Sequence, residues 1–147
     1  MTRTLPIEIR NFLPHREPML MVDLITYIDD ESVETTFLIS KDCIFVDNGY
    51  FSESGLIENS AQTCSAIVAQ TYFSEEKTAV KLVGFIGGIK KLSIKALPLV
   101  NQTLVSKARL ISKMDTEDYT LCLIQCTIFA EEKILLETEM NLFIREQ

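Results

Sequence analysis

A single glutamate, Glu58, opens a stretch that otherwise avoids charge: between Asn59 and Ser74 no side chain carries one. A carboxyl group placed there has two readings. Near the start of a helix it complements the positive end of the dipole and does nothing more. Enclosed by apolar neighbours, it becomes a group that gives or takes a proton, with burial and the dipole acting on its charge in opposite senses. Tyr50, ahead of this stretch, offers a proton or a hydrogen bond but is no base at neutral pH. Its other reading is an aromatic that closes the core beside Phe45 and Phe51. The only histidine, His15, sits between Pro14 and Arg16. Lys90, Lys91 and Lys95 gather positive charge on a chain whose net charge is −7, and alternation sets Lys91, Ser93 and Lys95 on one face. They are suited to an acidic partner, or equally to guarding an exposed strand edge.

The same net charge argues against nucleic acid as a partner, because phosphate binding rests on clustered cations. The N-terminal residues lack the apolar run of a secretory leader, and no stretch of about 18 apolar residues reads as a membrane span. A cytoplasmic protein that binds no membrane is expected. Cys43, Cys64, Cys122 and Cys126 lie apart in apolar segments, in neither a zinc pattern nor a disulfide framework, and read as small buried hydrophobes. With 147 residues, 47% of them hydrophobic, and no repeat or linker, the chain reads as one domain over 1–147.

The elements that must position these groups follow from periodicity. Residues 7–13 suggest a short helix ending before Pro14. Met19 to Ile28 reads as strand, turned by Asp29-Asp30 into an alternating strand from Ser32 to Ile39. From Ser54 to Phe73, Leu56, Ile57, Ala61, Cys64, Ile67, Val68 and Tyr72 recur at helical spacing, with Ser52 or Ser54 as the cap. The lack of charge predicts a helix wrapped by other structure. After a charged turn at Ser74 to Lys77, strands follow over 80–94, 103–112, 119–130 and 134–144. In the last, Leu136, Thr138, Met140, Leu142 and Ile144 share one face. Strands segregated from one helix predict an α+β fold, an antiparallel sheet packed on that helix, with its uncovered side closed by a second chain.

Three segments carry a resemblance to a known family. Leu13-Pro14-His15-Arg16-Glu17-Pro18 runs into the apolar Met19-Leu20-Met21-Val22 and ends at Asp23. Gly55-Leu56-Ile57-Glu58-Asn59-Ser60-Ala61-Gln62 sets a Glu before an Ala-Gln pair, and Gly84-Phe85-Ile86-Gly87-Gly88-Ile89 continues to Leu104. In these the chain resembles the 3-hydroxyacyl-acyl carrier protein dehydratases of fatty acid biosynthesis, nearly throughout its length. The resemblance implies a hotdog fold, a curved antiparallel sheet wrapped around one long helix, in a dimer. It implies a lyase whose acyl substrate arrives as a thioester on 4′-phosphopantetheine, carried by acyl carrier protein or coenzyme A, with no cofactor or metal of the enzyme's own. Glu58 takes the place of the family's catalytic carboxylate, Gly55, Gly84 and Phe85 its substrate contacts, and Lys90, Lys91 and Lys95 its carrier-docking cations. His15 and Arg16 take the place of a structural motif.

One departure outweighs these agreements. The family carries Gly-His-Phe-Pro-Gly ahead of the helix, and its histidine is the acid/base partner of the carboxylate. Here the segment is Asp47-Asn48-Gly49-Tyr50-Phe51-Ser52-Glu53-Ser54-Gly55, which sets Tyr50 in the histidine's place. A chain with the carboxylate and no histidine implies a helper subunit in a heterodimer with a histidine-bearing hotdog subunit. A homodimer that binds acyl thioesters without chemistry, and a hotdog thioesterase, are the alternatives.

Overall fold

The computed structural model of the chain describes residues 4–73 and 82–146. The charged turn expected at Ser74 to Lys77, a strand start at Val80 and the side chain of Tyr72 lie outside the described residues. In chain order come β1 (Ile7–Glu8), a 3-10 turn (Ile9–Asn11), β2 (Leu24–Ile28), β3 (Ser32–Leu38), β4 (Val46–Asp47) and β5 (Tyr50–Phe51). There follow α1 (Glu53–Phe73), β6 (Leu82–Ile94), β7 (Thr103–Asp115), β8 (Thr120–Ala130) and β9 (Lys133–Glu146). Among the described residues, seven strands form one antiparallel sheet in the order β1-β2-β3-β7-β8-β9-β6, and β4 with β5 makes a separate two-stranded hairpin.

The helix begins where Ser52 caps it: the Gly55 N–H donates to Ser52 Oγ at 3.3 Å, and Glu53 occupies the first turn. Its residues are small, and α1 packs against β3, β6, β7, β8 and β9. Leu56, Ala61, Cys64, Ala66, Ile67, Val68 and Ala69 are buried, and so are the polar Asn59, Ser60, Gln62 and Thr63. The core is the layer between this helix and one face of the sheet. Cys122, Ile124, Cys126 and Ile128 supply it from β8, and Leu136, Thr138, Met140, Leu142 and Ile144 from β9, with the alternation read from the sequence. The fold is the α+β arrangement expected. No helix of the described residues is long and apolar enough to cross a membrane.

One local expectation is corrected, and one unread turn is added. Residues 7–13 do not form an α-helix, because Ile7 and Glu8 pair with Ile25 and Leu24 and leave room for only one 3-10 turn. The segment before α1 is a tight hairpin: Val46 pairs with Phe51 and Asp47 with Tyr50 across Asn48 (φ 52°) and Gly49 (φ 84°). Two left-handed residues in succession are what a two-residue hairpin turn demands, and Asn-Gly is its strongest signature.

On the far side of the sheet β6 pairs with β9 alone among the described residues, so its outer edge is open there. It exposes Phe85, Ile86, Ile89 and Leu92. The register against β9 sets Ile86, Ile89 and Leu92 on the helix side, beside Leu142, Met140 and Thr138.

Candidate active site

Glu58 lies in the second turn of α1 and is half-buried. One turn later Gln62 is buried, and its amide is fully committed. Gln62 Oε1 accepts the Met21 N–H at 2.8 Å, while Nε2 donates to the Met19 carbonyl and to Glu58 Oε1, both at 2.9 Å. The Met21 N–H must meet the amide oxygen, so the nitrogen is the end that faces Glu58. Asn59 reinforces the same contact: its Nδ2 donates to the Met21 carbonyl at 2.6 Å, and its Oδ1 accepts from Ser106 Oγ at 2.6 Å. The segment from Met19 to Met21, which leaves a turn at Arg16 and precedes β2 where a strand was expected from Met19 on, is thereby sewn to the helix at the turn that carries the carboxyl group. Among the described residues Gln62 is the one hydrogen-bond partner of Glu58, which leaves Oε2 for a reacting group.

The loop bearing His15 enters this place. Arg16 pins it through its guanidinium, donating to the carbonyls of Leu13 (3.0 Å), His15 (2.7 Å) and Arg10 (3.3 Å), while Arg10 pairs with Glu17. The bracing expected of the motif is thus carried by Arg16. The His15 ring is half-buried, and its Nδ1 is enclosed with no hydrogen-bond partner among the described residues. Burial holds His15 below the ordinary imidazole value, and the Glu58 charge pulls it back up.

The other expected site residues fall in different places. Tyr50 is exposed, on β5, where it bridges to Leu99; no hydrogen bond joins it to Glu58 among the described residues. It does not close the core, a task left to its neighbour Phe51, which is buried and whose ring centroid lies 5.8 Å from that of Phe37. Gly55 is buried at the helix start, where a Cβ would stand 2.6 Å from the Phe51 ring and 2.9 Å from Phe45 Cβ. Gly84 faces the helix, with the Ser65 hydroxyl 3.9 Å from where its Cβ would be. Phe85 is on the opposite, outer face across from Phe143. Lys90, Lys91 and Lys95 are exposed. Lys91 faces Glu139 at 3.9 Å on the outer face, and the Lys95 N–H donates to the Leu135 carbonyl at 2.8 Å.

Sequence reasoning missed Asn59 and Gln62 as site residues. The signal was present, since two amides flank one carboxyl on a helix too apolar to leave them unpaired. Cys64, Cys122 and Cys126 are buried and Cys43 half-buried. Burial pushes the Cys64 thiol up, and that of Cys122 up to about 11.

Comparison with known proteins agrees with this fold. A structure titled as the dehydratase heterocomplex ApeI:P from Xenorhabdus doucetiae superposes with a TM-score of 0.81 at 18% identity, covering 96% of this chain and 91% of its own. A hypothetical thioesterase with coenzyme A from Streptococcus pneumoniae shares the fold more distantly, with a TM-score of 0.62 at 13% identity over 94% of this chain and 91% of its own. In sequence, the 3-hydroxyacyl-acyl-carrier-protein dehydratase FabZ of Streptococcus agalactiae is 30% identical over 115 residues, 74% of this chain and 78% of that protein. The profile of the ApeP-like family, described as ApeP dehydratase, matches residues 7–147. On the carboxyl-bearing helix, the wrapped sheet and these matches together, the chain belongs to the ApeP-like dehydratase family of the hotdog fold.

Proposed function

We propose that this chain is a helper subunit of a 3-hydroxyacyl thioester dehydratase, supplying Glu58 to an active site whose histidine comes from a different hotdog subunit. The observation that carries this reading is the contrast between two neighbouring positions. Glu58 is oriented by Gln62 with one oxygen free, while the segment that would bear the histidine is a tight Asn-Gly hairpin with Tyr50 turned outward. Half of an acid–base pair is built with care and the other half is absent.

The open edge of β6 supports the second subunit. It offers an unpaired row of backbone groups and, on the helix side, Ile86, Ile89 and Leu92 exposed together. Exposed apolar residues beside an unpaired strand edge are covered in stable soluble proteins. A hotdog partner pairing edge to edge covers both, and brings its own loop towards Glu58. That the ApeI:P structure is titled a heterocomplex favours an unlike partner over a second copy.

In the shared site the chemistry divides simply. The partner's imidazole takes the proton from the carbon next to the thioester carbonyl, the carbon–carbon double bond forms, and the C3–oxygen bond breaks. Glu58 is the acid of the step: Oε2 passes a proton to the departing hydroxyl, which leaves as water. Lys90 and Lys95 offer cations near this edge for an acidic carrier protein. Lys91 is the weaker candidate, being opposite Glu139.

The test is reconstitution. Purified alone, the chain should dehydrate a 3-hydroxyacyl thioester barely above background. Mixed with a histidine-bearing hotdog subunit it should turn over, and Glu58→Gln should remove that turnover by a factor of about 10² or more. Robust turnover by the chain alone overturns the helper role. Acyl binding that survives Glu58→Gln in a complex without turnover assigns the chain to binding, and thiol release from an acyl thioester assigns it to hydrolysis.

A further inference from the structure

Near Glu58 lies a second polar group that the shared-site chemistry leaves unused. His15 belongs to the segment that Gln62 and Asn59 hold against the helix through Met19 and Met21. Its Nδ1 is enclosed, with no hydrogen-bond partner among the described residues. A buried ring nitrogen left without a partner is costly, and in native proteins such a group has a reason, a functional role or a partner supplied from outside the chain. Gln62 occupies Glu58 Oε1 only.

The charges around His15 are accounted for. Arg16 spends its guanidinium on three carbonyls, and Glu17 pairs with Arg10. Glu58, across on the helix, is the charge that acts on the ring. Hydrogen bonds in active sites are commonly long in the unassembled protein and tighten when the site is complete.

We propose that His15 is a positioning residue for Glu58: when the partner subunit closes the site, His15 Nδ1 hydrogen-bonds the carboxyl group from the side opposite Gln62 and fixes its free oxygen toward the substrate. This rests on the shared-site reading, and goes beyond it by giving a role to the residue of the opening motif whose side chain takes no part in the bracing Arg16 provides. The carboxyl is then held between two side chains, one from its own helix and one from the loop sewn to it.

Because His15 is the only histidine, its imidazole signal is unambiguous in the untagged, isolated chain. Its NMR titration midpoint should lie below the ordinary value of 6.5, and Glu58→Gln should lower it further by removing the anion. In the reconstituted complex, His15→Phe should cut kcat about tenfold at unchanged KM, the rate equivalent of one ordinary hydrogen bond. His15→Asn, whose amide nitrogen falls near the place of Nδ1, should restore most of that loss, and His15→Gln should not. Rates are taken per folded complex, with melting temperatures measured alongside.

A midpoint that ignores Glu58→Gln overturns the proposal, and so does full kcat in His15→Phe or a His15→Asn variant as slow as His15→Phe. If the wild-type complex shows no dehydration, the shared-site reading falls, and the midpoint comparison still decides the pairing of His15 with Glu58.

Discussion

Replacing Gln62 with Met tests the site and the fold with one substitution. The two side chains have nearly the same length and volume, so no cavity opens, and what is lost is three hydrogen bonds. The Met21 N–H, 2.8 Å from Gln62 Oε1 in a buried position, is left without a partner, a loss of about 1–3 kcal/mol. The Met19 carbonyl belongs to an exposed residue and regains water, so it adds little. The bond to Glu58 is discounted for a half-buried group, and roughly 0.5–1 kcal/mol is a fair share. The sum is about 1.5–4 kcal/mol, which for a domain of this size lowers the melting temperature by roughly 4–15 °C. Differential scanning calorimetry of the isolated chain reads the stability, and turnover of the reconstituted complex at a temperature where both proteins are folded reads the chemistry. There the freed Glu58 rotamer should lower kcat about tenfold. Gln62→Glu should be worse on both counts, because it sets a carboxylate against Glu58 and the Met19 carbonyl. A Gln62→Met chain that melts with the wild type and turns over at full rate would refute the claim that this amide orients the carboxyl group.

Three other outcomes follow from burial and charge. Because the folded chain holds His15 below 6.5, the unfolded chain binds its proton first as pH falls, so stability is full above about 6.5 and declines below it. Melting between about pH 7 and 5.5 should show this decline, and His15→Phe should lack that part of it. With Cys64, Cys122 and Cys126 buried, and burial raising the first two thiols, the folded chain should react with a disulfide reagent at Cys43 first and slowly elsewhere. Equal reactivity of all four before denaturation would contradict the packing described. Gly55→Ala should destabilise by about 1–3 kcal/mol in a denaturant titration, because the new methyl meets the buried Phe51 ring at 2.6 Å. A neutral result would show that the helix start has slack.

The sequence by itself determined what short-range periodicity determines. Apolar steps of three and four, with no charge after Glu58, announced a wrapped helix, and alternation from Thr120 to Ile144 announced the hairpin whose inner face builds the core. The carboxyl group was legible because its own helix frames it. The Asn48-Gly49 turn also left a signal in the sequence, a dipeptide that asks for left-handed backbone. What the tertiary structure alone decided are the meetings between distant segments. Gln62 reaches Met19 and Met21 far back in the chain, and β6 follows the helix in sequence yet ends at the open edge beside β9. His15 feels the Glu58 charge only because tertiary packing brings its loop to the helix. Such contacts leave no periodic trace, since each depends on where the whole sheet sets two elements that a one-dimensional pattern treats as unrelated.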